Sequence, residues 1–368
     1  MTEQNNSGRI PGAGSGRRRK PPAKRRRRLT ILLSGAAAVL VLVGAGLGYV
    51  YVKYVQLDGN IKGVDINAQL GTERPDDVDN GSMDILVLGS DSRSGDNAEY
   101  GEDEGGARSD TAMVVHVYEG HKKASVVSVP RDTLVDRPQC ADGKGTSVPG
   151  EQRAMFNTAY EVGGPACAVK TVEAMSGIRM DHYIEVDFTG FKEVIDELGG
   201  VEITTTQPIQ DPKSHLDLAP GTHTLDGEQS LGLVRTRKSV GDGSDLGRIQ
   251  LQQAFMKAFI DQVKDVGVLT NPAKLLDLAD AATKAITPDS DLDSVQELIG
   301  FAQGLSGIGP QNVHMVTLPV EYDPADPNRV IPLEAQSQQV WTALKTDKPI
   351  PASATKDAAT GQADGLVK

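Results

Sequence analysis

Apolar residues are arranged along this 368-residue chain in two different ways. Residues 29–52 read LTILLSGAAAVLVLVGAGLGYVYV with no charged residue. As a helix that stretch extends about 36 Å, enough to cross a hydrocarbon core of about 30 Å, and it predicts one transmembrane helix. Further on, apolar residues come in short runs rich in β-branched side chains, which predict strands. These runs are MDILVLGSD from residue 83, TAMVVHVY (111–118), ASVVSVP (124–130), HYIEVDF (182–188), VEITTT (201–206) and VHMVTLPV (313–320). Between them the pattern predicts helices over 165–176, 189–198, 226–234, 245–265, 272–284 and 292–304. In the longest, Ile249, Met256, Ile260 and Val263 form an apolar stripe near helical spacing. Strands interleaved with helices, some in hairpin order, predict an α/β (α+β) fold with a mixed central β-sheet covered by helices on both faces.

The same pattern divides the chain. Residues 1–28 are a basic tail, 29–52 the membrane span, 53–82 a polar stalk with room for an edge strand, 83–345 the folded domain and 346–368 a tail expected to be disordered. Lys and Arg crowd the N-terminal side of the span, at Arg17 to Lys20 and Lys24 to Arg28, whereas Lys53 and Lys62 alone follow closely. By the positive-inside rule the N-terminus is cytoplasmic and the domain lies outside. A cleaved signal peptide is the rival reading, but the long apolar run ending in Tyr49, Tyr51 and Tyr54 favours a retained anchor.

Charge narrows the chemistry. The chain has 38 Lys+Arg and 50 Asp+Glu, of which residues 1–52 hold ten basic residues and one Glu, leaving a net charge of −21 beyond the span. Such a domain repels nucleic acid, and the basic run beside the span reads as a topology signal with affinity for anionic lipid. Its 28 residues leave no room for a helix-turn-helix unit, against a transcriptional regulator. The two cysteines, Cys140 and Cys167, fall outside the membrane and are expected to form a disulfide, the alternative being two unpaired thiols. That loop would contribute about 3 to 4 kcal/mol.

The common catalytic signatures are missing: the sequence has no GxSxG, HExxH, GxxxxGK[ST] or GxGxxG, and its six histidines lack metal-ligand spacing. Arg and Asp residues instead gather at strand ends. LGSDSR (88–93), ARSDTA (107–112) and SVPRDT (128–133) carry Asp91, Arg93, Arg108, Asp110, Arg131 and Asp132. A second group lies in VRTRKSVGDGSDLGRIQLQQ (234–253), where Arg235 and Arg237 precede a Gly-rich turn leading to Asp245, Arg248 and Gln252. Arginines converging on a helix N-terminus describe an oligo-anion site.

Taken in order, LGSDSR, RSDT, SVPRDT, FNTAYEVGG, HYIEVDFTGF, IDELGGVEI, LDGEQSLGLVRTR and SDLGRIQLQQ closely resemble the LytR-CpsA-Psr family of cell-wall glycopolymer ligases of Gram-positive bacteria, over residues 83–266. The resemblance implies transfer of a glycopolymer from a polyprenyl-pyrophosphate lipid to a peptidoglycan sugar hydroxyl, with the prenyl chain in an apolar lipid tunnel. It implies that Asp91 and Asp110 hold Mg²⁺ (or Mn²⁺) and that Arg108, Arg131, Arg235, Arg237, Arg248 and Gln252 line the pyrophosphate. Arg131, Arg237 and Asp245 become the candidate catalytic residues, Asp245 either orienting an arginine or assisting the acceptor hydroxyl. Water as acceptor would make the same site a hydrolase. One position departs from the family pattern: a Lys common two residues before the Asn of the NxAY motif is Met155 here. Either Arg153 supplies that cation or the contact is absent.

Overall fold

Strand β1 (Met83–Ser90) is buried on both faces, which is why its sequence reads as an apolar run rather than an alternation. The computed structural model describes residues 46, 48–90, 109–142, 145–237, 240–265, 272–363 and 365–367. Residues 54–368 form one compact unit. The 29–52 span falls outside the described residues except for 46 and 48–52, which are helical, and no described helix is long and apolar enough to cross a membrane.

The central sheet joins β1 to β2 (Ser109–Val117), β3 (Ala124–Val129), β4 (His182–Asp187), β5 (Ile286–Pro288) and β6 (Val313–Thr317), in the order β5-β4-β1-β2-β3-β6. The hairpin neighbours β1–β2 and β2–β3 are antiparallel, while β1–β4 and β3–β6 are parallel, so the sheet is mixed. Leu86, Leu88, Val114 and Val127 face one side. There they pack on Val169 and Val172 of helix α1 (Phe156–Ser176) and, through the same core, on Trp341 and Leu344 of a C-terminal helix at Glu334–Lys345. Their alternates Val87, Met113, Val115 and Val126 face the other side.

Further helices are α2 (Phe188–Leu198), α3 (Gly227–Arg235), α4 (Asp245–Asp265), α5 (Pro272–Ala285), α6 (Val295–Leu305) and α7 (Glu334–Lys345), with shorter helical segments among residues 48–60 and at Asn67–Leu70. Local chemistry sets their starts. Asp226 and Gln229 make a capping box on α3, and Asp187 and Ser294 cap α2 and α6. The run 201–206 is a strand, Val201–Thr205, but it pairs with Gly221–Leu225 in a separate ribbon rather than joining the sheet. Helix α1 begins nine residues before the predicted start at 165, because FNTAY makes a first helical segment that breaks at Gly163 and Gly164 before Pro165 resumes it. Cys140 and Cys167 form a disulfide with Cα atoms 5.5 Å apart, fastening the 134–155 hairpin region to the second half of α1.

Two expected boundaries change. The polar stalk of 53–82 is folded onto the domain: Leu57 and Ile61 of the helical stretch 54–60 and its exit are buried against α5 and α6, and Ile66 and Leu70 enter the main core. Val64 lies beside β5, where its backbone nitrogen donates to the Pro288 oxygen at 2.9 Å. The tail of 346–368 is packed rather than disordered. Ile350 and Ala354 are buried in the main core, and Ala363 and Leu366 in a second core around Val201, Ile203 and Leu251. Average composition hides such widely spaced anchors, because an extended segment needs only one apolar residue every few positions to stay down.

His182 and the buried Asp289 join β4 to the turn after β5, with Nδ1 and Oδ2 3.1 Å apart. Burial alone would lower the His182 pKa, but the hydrogen bond and charge of Asp289 outweigh it and raise it; burial would raise Asp289, and His182 and two backbone amides hold it down. A histidine raised on folding contributes stability below its unfolded pKa of about 6.5 and loses it as pH rises through the folded value. We expect His182→Gln to lower stability by about 1 to 2 kcal/mol near pH 6, with the deficit shrinking toward pH 9, as measured by urea unfolding at each pH. Truncation after residue 345 is expected to cost at least about 3 kcal/mol in the same assay, from lost burial of Ile350 and Leu366; an unchanged midpoint would contradict the packed tail.

Candidate functional site

The first turn of α4 gathers the arginines. Asp245 opens that helix, where a carboxylate complements the partial positive charge of the free amides. Its Oδ1 lies 2.5 Å from Arg248 NH2, 3.7 Å from Arg237 NH2 and 3.8 Å from Arg131 Nε. Its Oδ2 accepts a hydrogen bond from the Arg131 backbone nitrogen at 3.3 Å. The three arginines come from separate elements. Arg131 follows Pro130 at the end of β3, Arg248 is one turn into α4, and Arg237 leaves α3, its backbone nitrogen bound by Asp211 Oδ2 at 3.1 Å.

Asp132 extends the cluster. Its carboxylate is 3.7 Å from Arg131 and 3.7 Å from Arg329, a residue of the 320–332 hairpin that the sequence did not single out. Four guanidiniums thus lie beside Asp132 and Asp245, and Arg329 is also 3.9 Å from Asp326. Arg248 and Asp245 are 4% and 8% exposed, so their fields are little screened. A concave surface of about 550 Å³ opens over them, lined by Arg131, Asp132, Arg237, Tyr322 and Arg329. On its rim Tyr322 donates to Asp242 at 2.5 Å; burial would raise the Asp242 pKa, but hydrogen bonds from Ser244 and Tyr322 hold it below the ordinary carboxylate value.

The loop supporting this rim is held by the C-terminal segment. Gly241 has φ +53, and a β-carbon there would overlap the Gly361 carbonyl, which accepts from the Asp242 backbone nitrogen at 3.0 Å. Glycine is required on both counts, handedness and close approach.

The opposite half of α4 has another character. Met256, Phe259, Ile260 and Val263 face the sheet's second side, and with Phe301 and Leu305 of α6 they line an open apolar cleft of about 560 Å³. From Arg248 to Ile260 the helix rises about 18 Å. Gln253 bridges the two regions, its amide donating to Ser128 Oγ at 3.2 Å.

The other candidate residues fall as follows. Gln252 is buried and its amide donates to Thr111 Oγ1 at 3.1 Å and to the Val234 carbonyl at 2.9 Å, tying α4 to the start of β2 and the end of α3. Arg235 lies over the Phe188 ring, 5.1 Å from its centre, at the head of α2 rather than in the cleft. Arg153 has a guanidinium that is more than half exposed and bonds Asp323 of the 320–332 hairpin at 2.7 Å, joining two hairpins. Asp91 and Arg108 lie outside the described residues, as does the side chain of Asp110. The backbone pairs Ser90 with Ser109, where β1 ends and β2 begins. Beside those ends Tyr160 and Tyr183 donate to the Glu185 carboxylate at 2.8 and 2.6 Å; burial, then the Glu185 charge, pushes both phenols above their ordinary range. Among the described residues no group of His, Cys, Asp and Glu could hold a metal ion.

Comparison with known proteins is consistent across sequence and fold. The model of the LytR_cpsA_psr family matches residues 53–346. The cell wall biosynthesis protein LcpA of Corynebacterium glutamicum is 34% identical over 310 residues, covering 77% of this chain and 58% of LcpA. The polyisoprenyl-teichoic acid–peptidoglycan teichoic acid transferase TagT of Bacillus subtilis is 38% identical over 191 residues, covering 50% of this chain and 54% of TagT. The chain thus spans little more than half the length of these two curated relatives. A structure of TagT bound to LI-WTA superposes with TM-score 0.55 at 28% identity, covering 75% of this chain and 96% of that one. A LytR-Csp2A-Psr enzyme from Actinomyces oris shares the fold, with TM-score 0.58 at 22% identity over 77% of this chain and 95% of that one.

The arginine cluster predicts an affinity that can be measured with a simple anion. Arg237→Ala should weaken inorganic pyrophosphate binding about tenfold in titration calorimetry, the loss of one charge-assisted contact, with the remaining affinity falling as salt rises.

Proposed function

Because the chain belongs to the LytR-CpsA-Psr family, we propose that it is a membrane-anchored phosphotransferase that moves a glycopolymer from a polyprenyl-pyrophosphate carrier to a peptidoglycan sugar hydroxyl. The supporting observation is the two-ended character of α4. A cationic cluster sits at its first turn and an apolar cavity along its second half, which matches a ligand with a polyanionic head and a hydrocarbon tail. TagT, a relative named as a teichoic acid–peptidoglycan transferase, points to the same substrate class.

On this reading Arg131, Arg237 and Arg248 hold the pyrophosphate oxygens and offset the charge that builds on them, and the lipid phosphate is the leaving group. Phosphoryl transfer needs positioning and charge neutralisation more than a protein nucleophile, in keeping with the lack of Ser, His or Cys signatures. Asp245 orients the three arginines, since its two oxygens contact all of them. It also reaches the cleft through which an acceptor hydroxyl would enter. Asp91 and Asp110 are the carboxylates that would hold a magnesium or manganese ion, which when bound would neutralise phosphate oxygens as a Lewis acid. The acceptor glycan, the membrane and the anchor in residues 29–52 are parts of the same proposal.

Purified lipid-linked polymer and peptidoglycan should yield a phosphodiester-linked product with the native chain, and Arg131→Ala should reduce its rate by at least about a hundredfold. Full activity in that variant would refute the assignment. Donor turnover that proceeds equally fast without peptidoglycan would identify a hydrolase instead.

A further inference from the structure

The surface residues of the first helical stretch, α5 and α6 share an unusual property. Among the described residues from 54 on, the large apolar side chains that remain exposed are Tyr54, Val55, Val78, Leu275, Ile299 and Tyr322. Four of these six lie on the 54–60 helical stretch, α5 and α6. Those three elements are packed together: Leu57 and Ile61 are buried against Leu276, Ala279, Val295 and Leu298. Asp58 accepts from the Val295 backbone nitrogen at 3.1 Å, fixing the head of α6 against the stretch.

Their relative direction can be read from hydrogen bonds. Asn60 reaches Thr283 and Asp280, and Gln56 reaches Asp280, so the stretch and α5 run in the same direction. Moving from Asn60 back toward residue 54 therefore moves toward the N-terminal turn of α5, where Leu275 stands exposed beside Lys274. Residue 54 follows the charge-free run that ends at Val52 by two positions, a chain length of at most about 7 Å. Connectivity alone keeps this end of the domain beside whatever that run is embedded in.

The second role of α6 gives the patch a purpose. Ile299 and Leu298 lie on its outer and packed sides, while Phe301, Ala302 and Leu305 wall the apolar cavity. One helix thus carries an exposed apolar residue on one side and walls an open apolar cleft on another.

We propose that Tyr54, Val55, Leu275 and Ile299 form a docking face that seats on the outer leaflet of the bilayer and sets the cavity beside it, so that a lipid tail passes from bilayer to cavity along α6. Isolated apolar residues on a surface carry little meaning, but four on three helical segments packed together, in a domain joined within two residues to a charge-free apolar run, favour the lipid interface. The inference rests on the anchored, lipid-donor reading above.

The full-length chain offers a direct test, because its two cysteines are paired in a disulfide and a new thiol would be labelled alone. Leu275→Cys, Ile299→Cys and, as a reference, Tyr322→Cys would each carry a fluorophore in nanodiscs containing nitroxide-labelled phospholipid. Lipid quenching several-fold stronger at 275 and 299 than at 322 is expected. Equal quenching at all three positions, or shielding of 275 and 299 by a second copy of the chain in discs holding two, would overturn the proposal. The exposed-site variant Leu275→Glu/Ile299→Glu should slow turnover of a bilayer-embedded long-chain donor several-fold while sparing a water-soluble short-chain donor. Equal rates for both donors in that variant would also overturn it, whereas absence of turnover by the native chain with either donor would fault the ligase reading and leave the quenching result standing.

Discussion

One carboxylate constrains the polar half of this protein. Asp245 contacts guanidiniums from the end of β3, from the segment after α3 and from the next turn of its own helix, three pieces of chain that would otherwise repel one another. Removing a buried partner from such a cluster leaves like charges facing each other at low dielectric, so the cluster is an all-or-none arrangement. The cleft beside it is open to water, so the guanidiniums of Arg131 and Arg237 stay accessible although carboxylates lie next to them.

The apolar half depends on a different economy. A sheet buried on both faces asks for helices on both, and here one face is filled by α1 and α7 while the other keeps a cavity between itself and α4 and α6. Close packing is the rule in protein interiors, so an open apolar space of this size next to a well-filled layer accords with the lipid donor of the proposed function. Helix α4 belongs to both halves, which couples the two: a shift of its axis would move Arg248 and Ile260 together.

Much of this was legible in the sequence. Five of the sheet's six strands and the long helix from Asp245 were clear because their signals are local, namely β-branched runs and a helical stripe closed by turns, whereas the three-residue β5 is too short to leave a pattern. The meeting of Arg131, Arg237, Arg248 and Asp245 was foreshadowed by their places at strand ends and a helix start. What composition concealed depends on distant partners. Arg329 sits in a hairpin with no motif, and only the fold brings it to Asp132. Arg153 likewise meets Asp323 from 170 residues away. The helix at Glu334–Lys345 and the packed segment after it carry weak periodicity, because their apolar residues answer to a core built elsewhere.

The Gly241–Gly361 contact also imposes an order in time. The loop that presents Asp242 and leads into Asp245 is synthesised before the segment that supports it, and about 120 residues separate the two. At ordinary elongation rates that interval is on the order of ten seconds, during which Arg131 and Arg237 are already made and the loop lacks its backstop. The segment around residue 361 is thus the last part of the chain to reach the loop beside the anion site.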